Sequence, residues 1–188
     1  MKSVINNEYT TIIKNSKFIC LIYSIQSIED IKKYLEAAKI NFKDATHYCY
    51  AYILDGISKE SDDDEPSGTA GIPILHVLEK NHLEHVLCIV IRYFGKIKLG
   101  AGGLVRAYTN STTACLKDHI VTLKKATIVN ITFPYSLSKK IDHILTNNKI
   151  ISKEFKEEIE YQVIINNNQY EELNNLSIKI DKIKDTYI

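Results

Sequence analysis

Apolar and polar positions change their period several times along the chain, and each change marks an element. Residues 9–14 and 18–23 are short β-rich runs separated by Asn15 and Ser16, which predicts a hairpin with its first strand at a sheet edge. Ile28, Ile31, Leu35 and Ala38 then recur at helical spacing. Ser27 stands in front of them as an N-cap, and Asp30 places a charge near the positive helix end. In HYCYAYIL, residues 47–54, Cys49, Ala51 and Ile53 alternate with Tyr48, Tyr50 and Tyr52, so a strand with two different faces is expected. Residues 55–71 read as a loop, with glycines at 56, 68 and 71, Pro66 and the run Asp62-Asp63-Asp64-Glu65. A short helix over 73–80 carries its proline in the first turn, where no intrahelical bond is lost. Residues 86–93 are apolar on both sides, as a central strand requires.

Periodicity then breaks at Gly95, Gly100, Gly102 and Gly103, and resumes as a helix with Leu104, Ala107, Tyr108, Cys115 and Leu116 on one face. From residue 125 the expected order is strand 127–133, helix 136–147, strand 150–155, strand 158–165, helix 169–176 and a short last strand within 178–188. That is a βαββαβ unit. The reading is therefore an α+β protein of two domains, 1–124 and 125–188.

Composition narrows the class. With 45% hydrophobic and 25% charged residues, the chain is suited to bury a core and unsuited to disorder. No run approaches the ~20 apolar residues of a membrane span, and MKSVINNEYTT has no signal-like apolar stretch, so a cytoplasmic protein is expected. Cys20, Cys49, Cys88 and Cys115 stand singly in apolar stretches without close pairing, as reduced core residues do. The formal charge is +1, with 16 basic against 14 acidic residues up to Lys125 and 8 against 9 beyond it. Any nucleic-acid contact must then come from a local patch.

The one such patch is RYFGKIKLGAGGLVRAY, residues 92–108. Glycines at a helix start leave backbone N–H groups uncovered, and Arg92, Lys96, Lys98 and Arg106 surround them. An anion or nucleic-acid phosphate held by these four cations near Gly102 and Gly103 is one reading, and close helix packing by the glycines is the other. The segment lacks the GxxxxGK[ST] and strand-borne GxGxxG nucleotide loops. His47, Asp62, Asp63 and Glu65 are the candidates for catalysis. The acidic run could instead organise the loop, with Asp62 or Glu65 paired to Arg92 or Arg106 in the free protein. His76, His82 and His85 do not match a zinc triad and are expected at the surface, and no metal or cofactor is expected.

Three segments, ATHYCYAY (45–52), SDDDEPSGTAG (61–71) and residues 92–108, in that order and spacing, resemble the IMPACT/YigZ family. The resemblance implies a first domain like domain 2 of ribosomal protein S5 and a ferredoxin-like second domain similar to one in elongation factor G. It also implies a place near translation, since eukaryotic relatives regulate translation and bacterial members have been proposed to bind nucleic acid. The chain departs from the pattern at Tyr48, where asparagine is usual, at Asp64 and Lys96, where glycines are, and at Ile72, where arginine is. An RNA- or ribosome-associated protein that regulates translation is the first functional reading, with RNA, the ribosome or a protein of translation as partner. An enzyme acting on a phosphate ester or nucleotide and a protein-binding scaffold are the alternatives.

Overall fold

The structure is a computed structural model and describes residues 1–187. The chain divides into two compact units, Met1–Thr122 and Leu123–Ile188. Among the described residues no helix is long and apolar enough to cross a membrane.

In the first unit the elements run β1 (Lys2–Val4), β2 (Asn7–Ile13), β3 (Ser16–Ser24), α1 (Ile28–Asn41), β4 (His47–Leu54), β5 (Ile57–Ser61), α2 (Gly71–Lys80), β6 (Val86–Tyr93), α3 (Ala101–Leu116) and β7 (Ile120–Thr122). Five strands form an antiparallel sheet in the order β2-β3-β6-β4-β5, so β6, apolar from Val86 to Ile91, is central and β2 is an edge, as the patterning predicts. β1 and β7 pair separately. Alternation along β4 separates two cores. Cys49, Ala51 and Ile53 join the side that α2 and α3 cover, whereas Tyr48, Tyr50 and Tyr52 join the side packed with Ile31 and Ala38 of α1. Helix α1 starts in a full capping box, with the Asp30 N–H donating to Ser27 Oγ and the Ser27 N–H to Asp30 Oδ2.

Two expectations for this unit are corrected. Residues 57–61 are not loop: they form β5, which folds back on β4 through Asp55 and Gly56, both at positive φ. His85 is buried rather than at the surface, because Ile25 O lies 3.2 Å from its Nδ1 and Asp55 Oδ1 lies 3.0 Å from its Nε2. His76 and His82 are exposed, and all four cysteines are buried and free.

The second unit runs β8 (Lys125–Phe133), a 3-10 turn at Tyr135–Leu137, α4 (Ser138–Ile144), β9 (Ile150–Phe155), β10 (Ile159–Ile165), α5 (Asn167–Asn174) and β11 (Lys179–Tyr187). Its sheet has the order β11-β8-β10-β9, antiparallel throughout. Val129, Ile131, Phe133, Tyr161, Val163 and Ile165 bury one face against Ile141 of α4 and Leu173 of α5. Asn166 caps α5 in a box with Gln169. The last strand, expected to be short, is nine residues long; position 188 lies outside the described residues.

Candidate functional site

The acidic run leaves β5 and enters α2, and its carboxylates part company there. Helix α2 starts at Ala70 without a local side-chain cap. Asp62 supplies the cap from a distance, accepting the N–H groups of Gly68, Ala70 and Gly71 at 2.7, 2.9 and 2.8 Å. Partial burial pushes the Asp62 carboxyl up, but the three N–H donors outweigh it and hold it below the ordinary aspartate value. Gly71 must be glycine, since a Cβ there would fall on β5 at Glu60 and Ser61. Asp63 and Asp64 both take positive φ. Asp63 accepts the Tyr48 N–H at 2.6 Å, and its carbonyl lies 2.7 Å from His47 Nδ1.

Glu65 turns the other way, into the core. Its side chain is 3% exposed, and Oε1 accepts from Arg92 Nη1 at 2.5 Å and from the Tyr108 hydroxyl at 2.8 Å. Oε2 lies 3.9 Å from His47 Nε2. Cys49 Sγ completes this buried polar group, 3.3 Å from the Tyr108 oxygen and 2.9 Å from Asp62 O. Burial pushes both the Cys49 thiol and the Tyr108 phenol far up, so each stays protonated.

Arg92, at the end of β6, is 4% exposed. Its guanidinium lies 5.4 Å from the ring centroids of both Phe18 and Phe94, and Nη2 donates to Ser16 Oγ at 3.4 Å. Its buried Nε has no hydrogen-bond partner among the described residues. The chain then passes Gly95, which lies against the hairpin turn: a Cβ would fall on the Asn15 and Ser16 backbone. Lys96 adopts φ 65°, a left-handed conformation that glycine reaches without strain.

Helix α3 opens at Gly100, with φ 71° and no side-chain cap. The N–H groups of Ala101, Gly102 and Gly103 precede the first intrahelical bond, from Leu104 N–H to Gly100 O, and so face outward without helical acceptors. Gly102 has open surroundings apart from Arg106 Nη1, whereas a Cβ on Gly103 would press on Leu99 at 3.1 Å. Packing thus accounts for Gly103 and leaves Gly102 free of it. Lys96, Lys98 and Arg106 are exposed and form no ion pair among the described residues.

A cavity of about 410 Å³ joins these parts. His47, Asp64, Glu65, Arg92 and Lys98 line it with Gly100 and Ala101, while Lys96, Gly102, Gly103 and Arg106 lie outside its lining. The four cations therefore do not converge as equals. Arg92 is committed to Glu65, as the expected ion pair requires, but Asp62 and Asp63 bind backbone N–H groups instead of arginines. The four acidic side chains also do not converge on a metal: no group of metal-ligating side chains occurs among the described residues. Sequence reasoning missed Tyr108, Cys49, Thr46, Phe94 and Leu99 as parts of the site. All five lie within residues 45–52 and 92–108, but no local pattern sets them apart there from core or loop residues.

Fold and site together define a mixed α/β protein of two units with a polar-floored cavity beside an uncapped helix start. The Impact N-terminal domain family model matches residues 14–116. The chain is 38% identical over 165 residues to the IMPACT family member YvyE of Bacillus subtilis, covering 84% of this chain and 76% of that protein. It is 34% identical to the IMPACT family member YigZ of Escherichia coli, where the match spans 64% of this chain and 61% of the relative. This chain belongs to the IMPACT family. A crystal structure described as that of a hypothetical protein superposes with a TM-score of 0.65 at 25% identity, over 97% of both chains. The two-domain translational regulator Yih1 matches with a TM-score of 0.38 at 20% identity over 60% of this chain and 45% of its own, too distant to carry fold or function.

Proposed function

We propose that this protein associates with RNA or the ribosome and acts in the regulation of translation, from the cytoplasm. The observation that carries the reading is the start of α3, where outward N–H groups stand among Lys96, Lys98 and Arg106, three exposed cations without carboxylate partners among the described residues. A nucleic-acid phosphate gains both from such donors and from the charges. Glu65 takes Arg92, and Asp62 and Asp63 take backbone N–H groups, so none of these three carboxylates pairs with Lys96, Lys98 or Arg106. The family resemblance supplies the link to translation. It also supports an S5 domain 2-like fold for the first unit. For the second, the βαββαβ order with β8 and β10 central supports a ferredoxin-like domain.

The alternative, a phosphate-ester or nucleotide-directed enzyme, would rest on His47, Asp64, Glu65 and Arg92, which line one cavity, without Asp62 and Asp63, whose carboxylates bind backbone N–H groups. Binding of single-stranded RNA, duplex RNA and ribosomal particles, measured across salt concentration, tests the reading. Affinity is expected to fall with salt, and removal of Lys98 and Arg106 together to reduce the log–log slope by roughly 2. Affinity independent of salt, or unchanged in the double variant, would contradict it.

A further inference from the structure

The cavity floor poses a chemical question that phosphate binding does not answer. His47 Nδ1 is 2.7 Å from the Asp63 carbonyl, so in the neutral ring the proton sits on Nδ1 and Nε2 presents a lone pair. Glu65 Oε1 is taken by Arg92 and Tyr108, which leaves Oε2 as a second acceptor. These two acceptors face each other across 3.9 Å, too far apart to bond and inside a buried lining. Two acceptors so placed are bridged by one group that carries two donor hydrogens, a water in the free protein or an amino group of a ligand. Because His47 Nε2 and Glu65 Oε2 both accept, this pair calls for a donor and not for an anion.

The walls add a stacking surface. Phe94 is 44% exposed and lines the cavity, with Pro66, Leu99 and Leu104 as further apolar lining. Thr46 Oγ1 accepts the Phe94 N–H at 3.0 Å, which leaves its own O–H to donate. Lys98, Gly100 and Ala101 bring positive charge to the same cavity. About 410 Å³ falls within the ~300–1,000 Å³ usual for small-molecule sites.

We infer that this cavity receives a nucleobase bearing an exocyclic amino group, stacked on Phe94, with its NH₂ between His47 Nε2 and Glu65 Oε2 and its phosphate toward Lys98. The base comes from the nucleic acid bound at α3, so the inference rests on the proposed RNA reading; a free nucleotide offers the same chemistry. Base insertion of this kind combines aromatic stacking with hydrogen bonds to the base edge.

Titration of the full chain with AMP, CMP, UMP and ribose 5-phosphate, followed by amide and imidazole NMR, tests it. AMP and CMP are expected to bind at least about tenfold more tightly than UMP or ribose 5-phosphate, with shifts at His47 and Phe94. Phe94→Ala is expected to reduce AMP to the level of ribose 5-phosphate, and Phe94→Leu, which keeps an apolar wall, to show the same loss of stacking. Equal binding of all four probes, or AMP binding unchanged in both variants, would overturn the inference. RNA carrying a single abasic site separates the two claims. If it binds as intact RNA does and Phe94→Ala changes nothing, base capture fails while the RNA reading stands. If AMP binds as expected but no RNA does, base capture stands and the RNA reading fails.

Discussion

Asp62 stands eight and nine residues ahead of the N–H groups of Ala70 and Gly71 that it caps, so one side chain ties the end of β5 to the start of α2. Because its carboxyl titrates lower when folded, its ionised form stabilises the native state. That contribution is fully present above the ordinary aspartate pKa of 3.8 and is lost as pH falls through the lower folded value. Asp62→Ala is expected to cost about 0.5–2 kcal/mol at neutral pH, the usual value of a lost cap. Asp62→Asn keeps an acceptor and costs less; its gap to the parent protein should hold from neutral pH to about pH 4 and narrow below, as followed by urea unfolding at each pH. An unchanged gap down to pH 2 would assign the effect to shape alone. At this scale the sequence was legible where partners are close or opposite in charge. Ser27 was legible as an N-cap from its place before the helical spacing, and Glu65 with Arg92 was one of the pairs that charge complementarity offered. Tyr108 was read only as core, since its hydroxyl meets Glu65 through tertiary packing of α3 on the sheet. His85 was misplaced for the same reason: its partners, Ile25 and Asp55, are distant in the chain.

Among the elements, the β6–α3 connection shows that glycines close in sequence serve different ends. Gly95 lets the chain lie on the β2–β3 turn, and its N–H donates to Ser16 Oγ at 3.1 Å. Gly102 meets nothing but the tip of Arg106. Gly95→Ala should therefore destabilise by about 1–3 kcal/mol through forced displacement of the hairpin, seen as a lower denaturant midpoint at unchanged slope. Gly102→Ala should be neutral or stabilising by up to about 1 kcal/mol, because alanine suits a helix better. Equal destabilisation by both would show that the helix start is packed rather than open. Strand β5 escaped sequence reading because ISKES is mostly exposed and lacks an apolar alternation; Asp55-Gly56 was its only signal. Strand β11 was underestimated because KIDKIKDTY is charged along a sheet edge, a composition that resists further strand pairing but hides the strand. By contrast, β4 and β6 were plain from their patterns, since burial on one or two faces writes itself into side-chain choice.

For the molecule as a whole, a formal charge of +1 offers no long-range attraction to a polyanion, so recognition must be local. The patch at the start of α3 meets that need with three exposed cations and outward backbone donors. The proposed contact would accordingly have a narrow footprint, with few phosphates held and moderate salt dependence. The central claim is that nucleic-acid phosphate contacts the protein at this helix start, and amide NMR of the ¹⁵N-labelled chain titrated with single-stranded RNA tests it most directly. The amides of Lys98, Ala101, Gly102 and Gly103 are predicted to shift in a saturable way and to shift less as salt is raised. RNA binding that leaves these four amides unmoved, or no binding at low salt, would contradict the account.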